Sequence, residues 1–267
     1  TGAPAGPDIL TDAGRALFPL AREIVNQSVN IEETMRSLDG EVHGHLLVGC
    51  STTPGKYILP HLLARFHARY PKVKVSCHVA PQDQAVEMLC ANEIHFSMAS
   101  APYLVCRDVE FYKFTTDPIV LIAPVDHPWA RLGLIDPDEL RDAVFIMREQ
   151  SSGTMATVYD GLAGVGVSRE DLETLLVLGN PEAIALAVQE GLGVGFVSSI
   201  VVDKLVRDGV AVIDVRGLSL ERDIYIGRYA NRQVTGAQAA FWEFAREEAH
   251  RLGTLATELH VIEASYT

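Results

Sequence analysis

Residues 46–60 read LLVGCSTTPGKYILP, an apolar strand that ends on three hydroxyl side chains and gives way to a helix. Pro54 stands at the start of the helical stretch, where a missing N–H costs nothing because first-turn N–H groups have no intrahelical partner. Ser51, Thr52 and Thr53 therefore sit where free backbone N–H groups point outward. That arrangement holds a small polar or anionic ligand without a catalytic side chain. Helix capping needs one such residue, and three in a row exceed it. About a hundred residues on, Ser151-Ser152-Gly153-Thr154 repeats the design. Two hydroxyl-rich helix starts in one α/β chain predict a ligand gripped between two lobes.

Outward from that stretch, short apolar segments at 46–50, 73–79, 95–99, 120–123, 143–146, 174–178 and 194–197 alternate with helical patterns. The helices are expected at 57–70, 83–91, 154–162, 181–190 and 199–207. Such alternation predicts a mainly parallel sheet with helices on both faces. A strand at 223–229 then leads into a helix at 236–251, and no role is assigned to the tail at 253–267. Lobe crossings are expected near 115–118 and 219–223. Lobe I would then be discontinuous, 44–117 with 224–252, and would enclose lobe II at 118–223.

Toward the N-terminus, Thr11 is the expected N-cap of a long helix in which Leu10, Leu17, Ile24, Ile31 and Leu38 recur every seven residues. A stripe of that period asks for a partner, and a second copy of the same helix supplies one. Asp39-Gly40 and His43-Gly44 follow at once and read as a linker, so residues 11–40 are assigned as a dimerisation helix.

Composition narrows the function classes. With 267 residues, 48% apolar and 21% charged, the chain can bury the cores of two modest lobes. A formal net charge of -13 repels phosphate backbones, so these residues are not expected to grip nucleic acid themselves. No apolar run has the length of a membrane span, and TGAPAGPDIL lacks the basic and apolar regions of a secretory signal, so a cytoplasmic protein is expected. Cys50, Cys77, Cys90 and Cys106 form no CxxC pair; Cys50 and Cys77 lie in apolar, strand-like stretches and are read as buried reduced thiols. No metal site is assigned to His43 and His45, and no cofactor is expected. Catalytic motifs such as G-x-S-x-G, H-E-x-x-H and the P-loop are absent. GLGVG at 191–195 follows a helix and enters a strand, the reverse of a dinucleotide fingerprint. The chain is therefore read as a binder rather than an enzyme.

Five segments carry a more specific resemblance. LTDAGRALFPLAREIV (10–25), GHLLVGCSTTPGKYILPHLLARFHARYP (44–71), DHPWA (126–130), REQSSGTM (148–155) and NPEAIALAVQEGLGVGFVS (180–198) follow in order. Together they resemble the LysR-type transcriptional regulators over nearly the whole chain. The resemblance implies an effector-binding domain of two Rossmann-like lobes, of periplasmic-binding-protein type, joined by a two-strand hinge and preceded by a long linker helix. It implies a small-molecule effector, a homodimer or homotetramer, and DNA contact only through an N-terminal winged helix-turn-helix absent here, with residues 1–10 a remnant of its wing. Carried over residue by residue, its site comprises Ser51, Thr52 and Thr53, Ser100 after the third strand, and Ser151, Ser152, Gly153 and Thr154. Phe196, Val197 and Ser198 would line the other wall.

The chain also departs from the family. His95 stands where the family often has Asp, and Met155 replaces the Arg of a REPGSGTR-like branch. Loss of that Arg removes a bidentate clamp and argues against a strongly charged phosphorylated effector. The competing reading is a solute-binding protein of a transport system. The seven-residue stripe and the missing leader count against it.

Overall fold

The computed structural model describes residues 11–36, 41–100, 108–230 and 234–264. Helix α1 (Asp12–Arg36) is capped by Thr11, whose hydroxyl oxygen accepts from the Gly14 N–H at 3.1 Å. Among the described residues its stripe finds no cover, with Leu17, Ile24 and Ile31 exposed to 63%, 69% and 66%. Leu10, Leu38, Asp39 and Gly40 lie outside the described residues. Polar contacts tether the helix to the body. Arg22 pairs with Glu93 at 2.8 Å, and the Glu33 carboxylate accepts from the His45 N–H at 2.8 Å.

After α1 the order is β1 (Gly44–Cys50), α2 (Leu59–Arg69), β2 (Val73–Val79), α3 (Gln82–Cys90), β3 (Phe96–Ala99) and β4 (Val109–Pro124). Then come α4 (Pro128–Leu132), β5 (Leu134–Ile135), β6 (Val144–Arg148), α5 (Gly153–Gly164), β7 (Glu173–Leu178) and α6 (Pro181–Gln189). The chain finishes with β8 (Gly195–Ser198), α7 (Ser199–Val201), β9 (Val210–Val215), β10 (Leu220–Tyr229) and α8 (Gly236–Ala264). The main sheet runs β2-β1-β3-β10-β4-β9-β5, with β8 also on β4. β6 and β7 join it through a parallel bridge between Phe145 and Val194.

Two strands form the shared spine. β4 and β10 pair antiparallel from Ile119 opposite Leu220 to Val109 opposite Tyr229, with a bulge at Ile224/Tyr225. The sheet is consequently mixed, not mainly parallel as expected. β1–β2, β1–β3, β5–β9 and β6–β7 are parallel, whereas β3–β10, β10–β4, β4–β8 and β4–β9 are antiparallel. The cause is that the two strands crossing between the lobes run in opposite directions.

Apolar burial divides along the same spine. One core gathers Leu46, Val48, Phe66, Phe96, Phe114, Ile224 and Phe241 from β1, α2, β3, β4, β10 and α8. Beyond the crossing, alternate residues of β6 serve two further cores: Phe145 packs beneath α5 and Ile146 beneath α6. The change of core falls between Phe114 and Ile119 on β4 and between Leu220 and Ile224 on β10.

Several elements differ from their expected extents. β4 begins well before residue 120, because its first half, VEFYKFTTDP, carries charges that obscure the strand pattern. Across the ladder those charges meet β10: Glu110 pairs with Arg228 at 2.5 Å, Lys113 with Asp223 at 2.6 Å and Asp117 with Arg222 at 2.6 Å. Strand β9 was not expected. The helix expected at 57–70 follows a helical entry from Thr52 that includes a π-helical turn at Pro54–Ile58, and α8 continues past the expected end at 251. Cys50 is a buried free thiol as expected. Cys77 corrects its assignment: it is a free but exposed thiol on β2, the end strand of the sheet. Cys90 is disulfide-bonded, and Cys106 lies outside the described residues.

Candidate functional site

A cleft of about 270 Å³ opens where the helical entry at Thr52 and the starts of α3 and α5 converge. Ser51, Thr52, Thr53, Ser100, Ser151, Ser152 and Gly153 all line it, so the two hydroxyl-rich turns face one cavity. At each helix start the first N–H groups lack intrahelical partners, an arrangement that favours an anion over a cation. Val79, Ala80, Pro81, Gln82, Arg148, Glu149, Gly179 and Arg222 complete the described lining.

The lobes touch across the cleft. Ser100 donates to the Gln82 side-chain oxygen, and a Cβ built at Gly153 would overlap both groups. Glycine at 153 thus permits the α5 start to press against lobe I. A second contact bridges the lobes: Tyr57 donates to Glu182 at 3.0 Å, and Lys56 pairs with Glu182 at 2.9 Å. Burial, with the Glu182 hydrogen bond second, pushes the Tyr57 phenol up to about 12, so it stays protonated and keeps donating.

Charge is concentrated at the crossing. Arg222 donates to Asp117 from Nε at 2.8 Å and Nη2 at 2.6 Å, and from Nη1 to the Thr154 hydroxyl at 2.7 Å. Ser198 donates to the other Asp117 oxygen at 2.5 Å. All four residues are buried, which leaves every polar group in the cluster hydrogen-bonded. At the end of β6 the buried Arg148 fork binds Glu149, with Nε and Nη2 donating at 2.8 and 2.6 Å. Burial works against that carboxylate, yet the Arg148 hydrogen bond and charge hold it below its ordinary pKa.

The far-wall assignment is corrected. β8 is an interior strand, so Phe196 packs into the core under α5 and Val197 into the core under α6. Ser198 is buried against Asp117, and Thr154 is buried beneath Arg222, so both support the site from behind. Met155 also lies in a core, while Arg148 and Arg222 supply guanidinium groups that the reading of position 155 had taken as lost. Arg148 opens the REQSSGTM segment without itself being assigned to the site, and Arg222 has no local signal pointing to the cleft. His95 sits away from the cleft, where its Nδ1 accepts from the Leu47 N–H at 3.1 Å. Among the described residues no cluster of three or more His, Cys, Asp or Glu could hold a metal ion.

This geometry defines a two-lobed binding protein: two crossing strands, a cleft between separate cores, and helix starts aimed into it. The chain belongs to the LysR substrate binding domain family, whose model matches residues 39–250. A RuBisCO operon transcriptional regulator of Allochromatium vinosum is 30% identical over 245 residues, covering 91% of this chain and 80% of the relative. The regulatory domain of CcmR from Synechocystis PCC6803, solved in complex with 2-PG, is 29% identical with a TM-score of 0.69, covering 76% of this chain and 96% of that one. The effector binding domain of QuiR, solved with shikimate, shares the fold at a TM-score of 0.70 and 20% identity, over 78% of this chain and 98% of that one.

Proposed function

We propose that this chain is the effector-sensing portion of a LysR-type transcriptional regulator and that a small polar or anionic metabolite binds between its lobes. The observation that carries the reading is the convergence of Ser51–Thr53, Ser100 and Ser151–Gly153 on one cleft at the lobe junction. Lobe I is assigned to 44–117 with 224–252 and lobe II to 118–223. The 30% identical relative is named as a transcriptional regulator, and the CcmR domain was solved with a small molecule bound. Both support regulation over transport and over catalysis.

In this reading the effector favours one arrangement of the lobes, and a coupling of roughly 1–3 kcal/mol is enough for a switch. The uncovered stripe on α1 packs against a second copy, giving a homodimer or homotetramer. Promoter DNA is read by a winged helix-turn-helix of the full-length regulator, since the charge of these residues disfavours phosphate contact. A cytoplasmic location fits that role, and no described helix is long and apolar enough to cross a membrane.

The test is thermal stabilisation by a panel of small carboxylates, phosphates and neutral polar metabolites. Wild type is compared with Thr52→Val/Ser152→Ala, which removes one hydroxyl from each lobe. A hit whose stabilisation disappears in the double variant is expected. Stabilisation that persists unchanged would put the ligand elsewhere.

A further inference from the structure

Arg148 and Arg222 both face the cleft, but their carboxylate partners differ. Asp117 stands directly opposite Arg222 in the β4–β10 ladder, is itself buried, and is held by Ser198 on its second oxygen. A dissolved anion cannot displace it without dismantling the crossing. Arg148 is as deeply buried, its side chain 5% exposed, yet its partner Glu149 is 36% exposed. Glu149 belongs to no ladder and starts the turn that the Ser152 N–H closes onto the Glu149 carbonyl at 3.0 Å.

We propose that Glu149 is an internal stand-in for an anionic effector: it fills the Arg148 fork until a carboxylate or phosphate takes its place and releases it to solvent. The inference rests on the proposed function and deepens it by naming the ligand class and the residue that competes with the ligand. A buried guanidinium left without an anion is costly, so the fork needs a partner at all times. Glu149 supplies two parallel N–H···O bonds, which any carboxylate or phosphate reproduces. On leaving, its half-exposed carboxylate moves into water rather than into an unpaired buried position. The helix starts at Thr52–Thr53, Gln82 and Gly153 surround the same cavity and favour an incoming anion over a neutral solute. A neutral ligand, by contrast, leaves the Arg148–Glu149 pair in place.

Competition of this kind sets the size of the effect. Glu149 is 36% exposed, so water screens its share of the pair toward the surface range of up to about 1 kcal/mol, and removing the competitor tightens anion binding about fivefold. The experiment is calorimetric titration of the 267-residue chain with inorganic phosphate and with malonate. Glu149→Gln is expected to bind at least one of the two about fivefold tighter than wild type. Glu149→Asp, whose shorter side chain spans the fork less well, moves in the same direction. Asp126→Asn removes an equal charge from an exposed turn outside the cleft and leaves affinity unchanged, while Arg148→Met in the Glu149→Gln background abolishes binding. Equal or weaker binding by Glu149→Gln, or binding that survives Arg148→Met, overturns the proposal. So does a failure of both anions to bind wild type and Glu149→Gln. Stabilisation by a neutral metabolite, lost in Thr52→Val/Ser152→Ala, would then still uphold the cleft.

Discussion

Asp117→Ala tests whether charge holds the crossing between the lobes. The substitution removes the carboxylate that accepts two bonds from Arg222 and one from Ser198, leaving the guanidinium with the Thr154 hydroxyl. Both side chains of the pair are 6% exposed, so water cannot take over. Breaking a buried pair by removing one partner costs about 3–5 kcal/mol. At about 2–4 °C per kcal/mol for a chain of this size, the melting temperature falls by about 10 °C. The double variant Asp117→Leu/Arg222→Met replaces the pair with apolar groups and recovers part of the loss, since the buried Ser198 and Thr154 hydroxyls lose their charged partners. Differential scanning calorimetry gives the size of the effect, and Trp fluorescence locates it. Trp129 lies in a core beyond the crossing and Trp242 in the core with α8, so Trp→Phe variants report the two sides separately. If the spine couples the lobes, both probes shift together. A loss below about 1 kcal/mol, or a double variant no more stable than Asp117→Ala, refutes the reasoning.

Three further outcomes follow from the same geometry. Gly153→Ala forces the α5 start away from Ser100 and Gln82, so small-angle scattering should show a larger radius and titration a weaker ligand; an unchanged radius would mean the lobes do not meet there. Phe241→Ala removes a fully buried ring that meets Phe66 edge-on at 5.0 Å and Phe96 at 4.9 Å, and costs about 3–5 kcal/mol in urea unfolding. His95 titrates near 4 because burial, and secondarily the charge of His45, disfavours its protonated form. With the folded pKa below the ordinary value, the unfolded chain binds the extra proton first. Stability therefore holds above about pH 6.5 and is lost as pH falls toward about 4. His95→Asn keeps an acceptor for the Leu47 N–H, and its stability should lose that part of the slope.

The sequence by itself determined what depends on neighbours a few residues away. Three successive hydroxyls before Pro54, and Ser151-Ser152 before α5, mark helix starts, and both turns reach the cleft. Thr11 caps α1, and the seven-residue period already announced an uncovered stripe. Only the tertiary structure decided which distant side chains complete the site. Arg222 reaches the cleft because β10 pairs with β4 in a register that sets it against Asp117, 105 residues away in the chain. Register also explains the misassigned wall: alternation shows that Phe196 and Val197 face opposite ways, but not that both faces of β8 are covered by helices. Capping and periodicity are local and survive in a one-dimensional reading. The composition of a cleft depends on strand pairing and burial, which exist only once the chain has closed on itself.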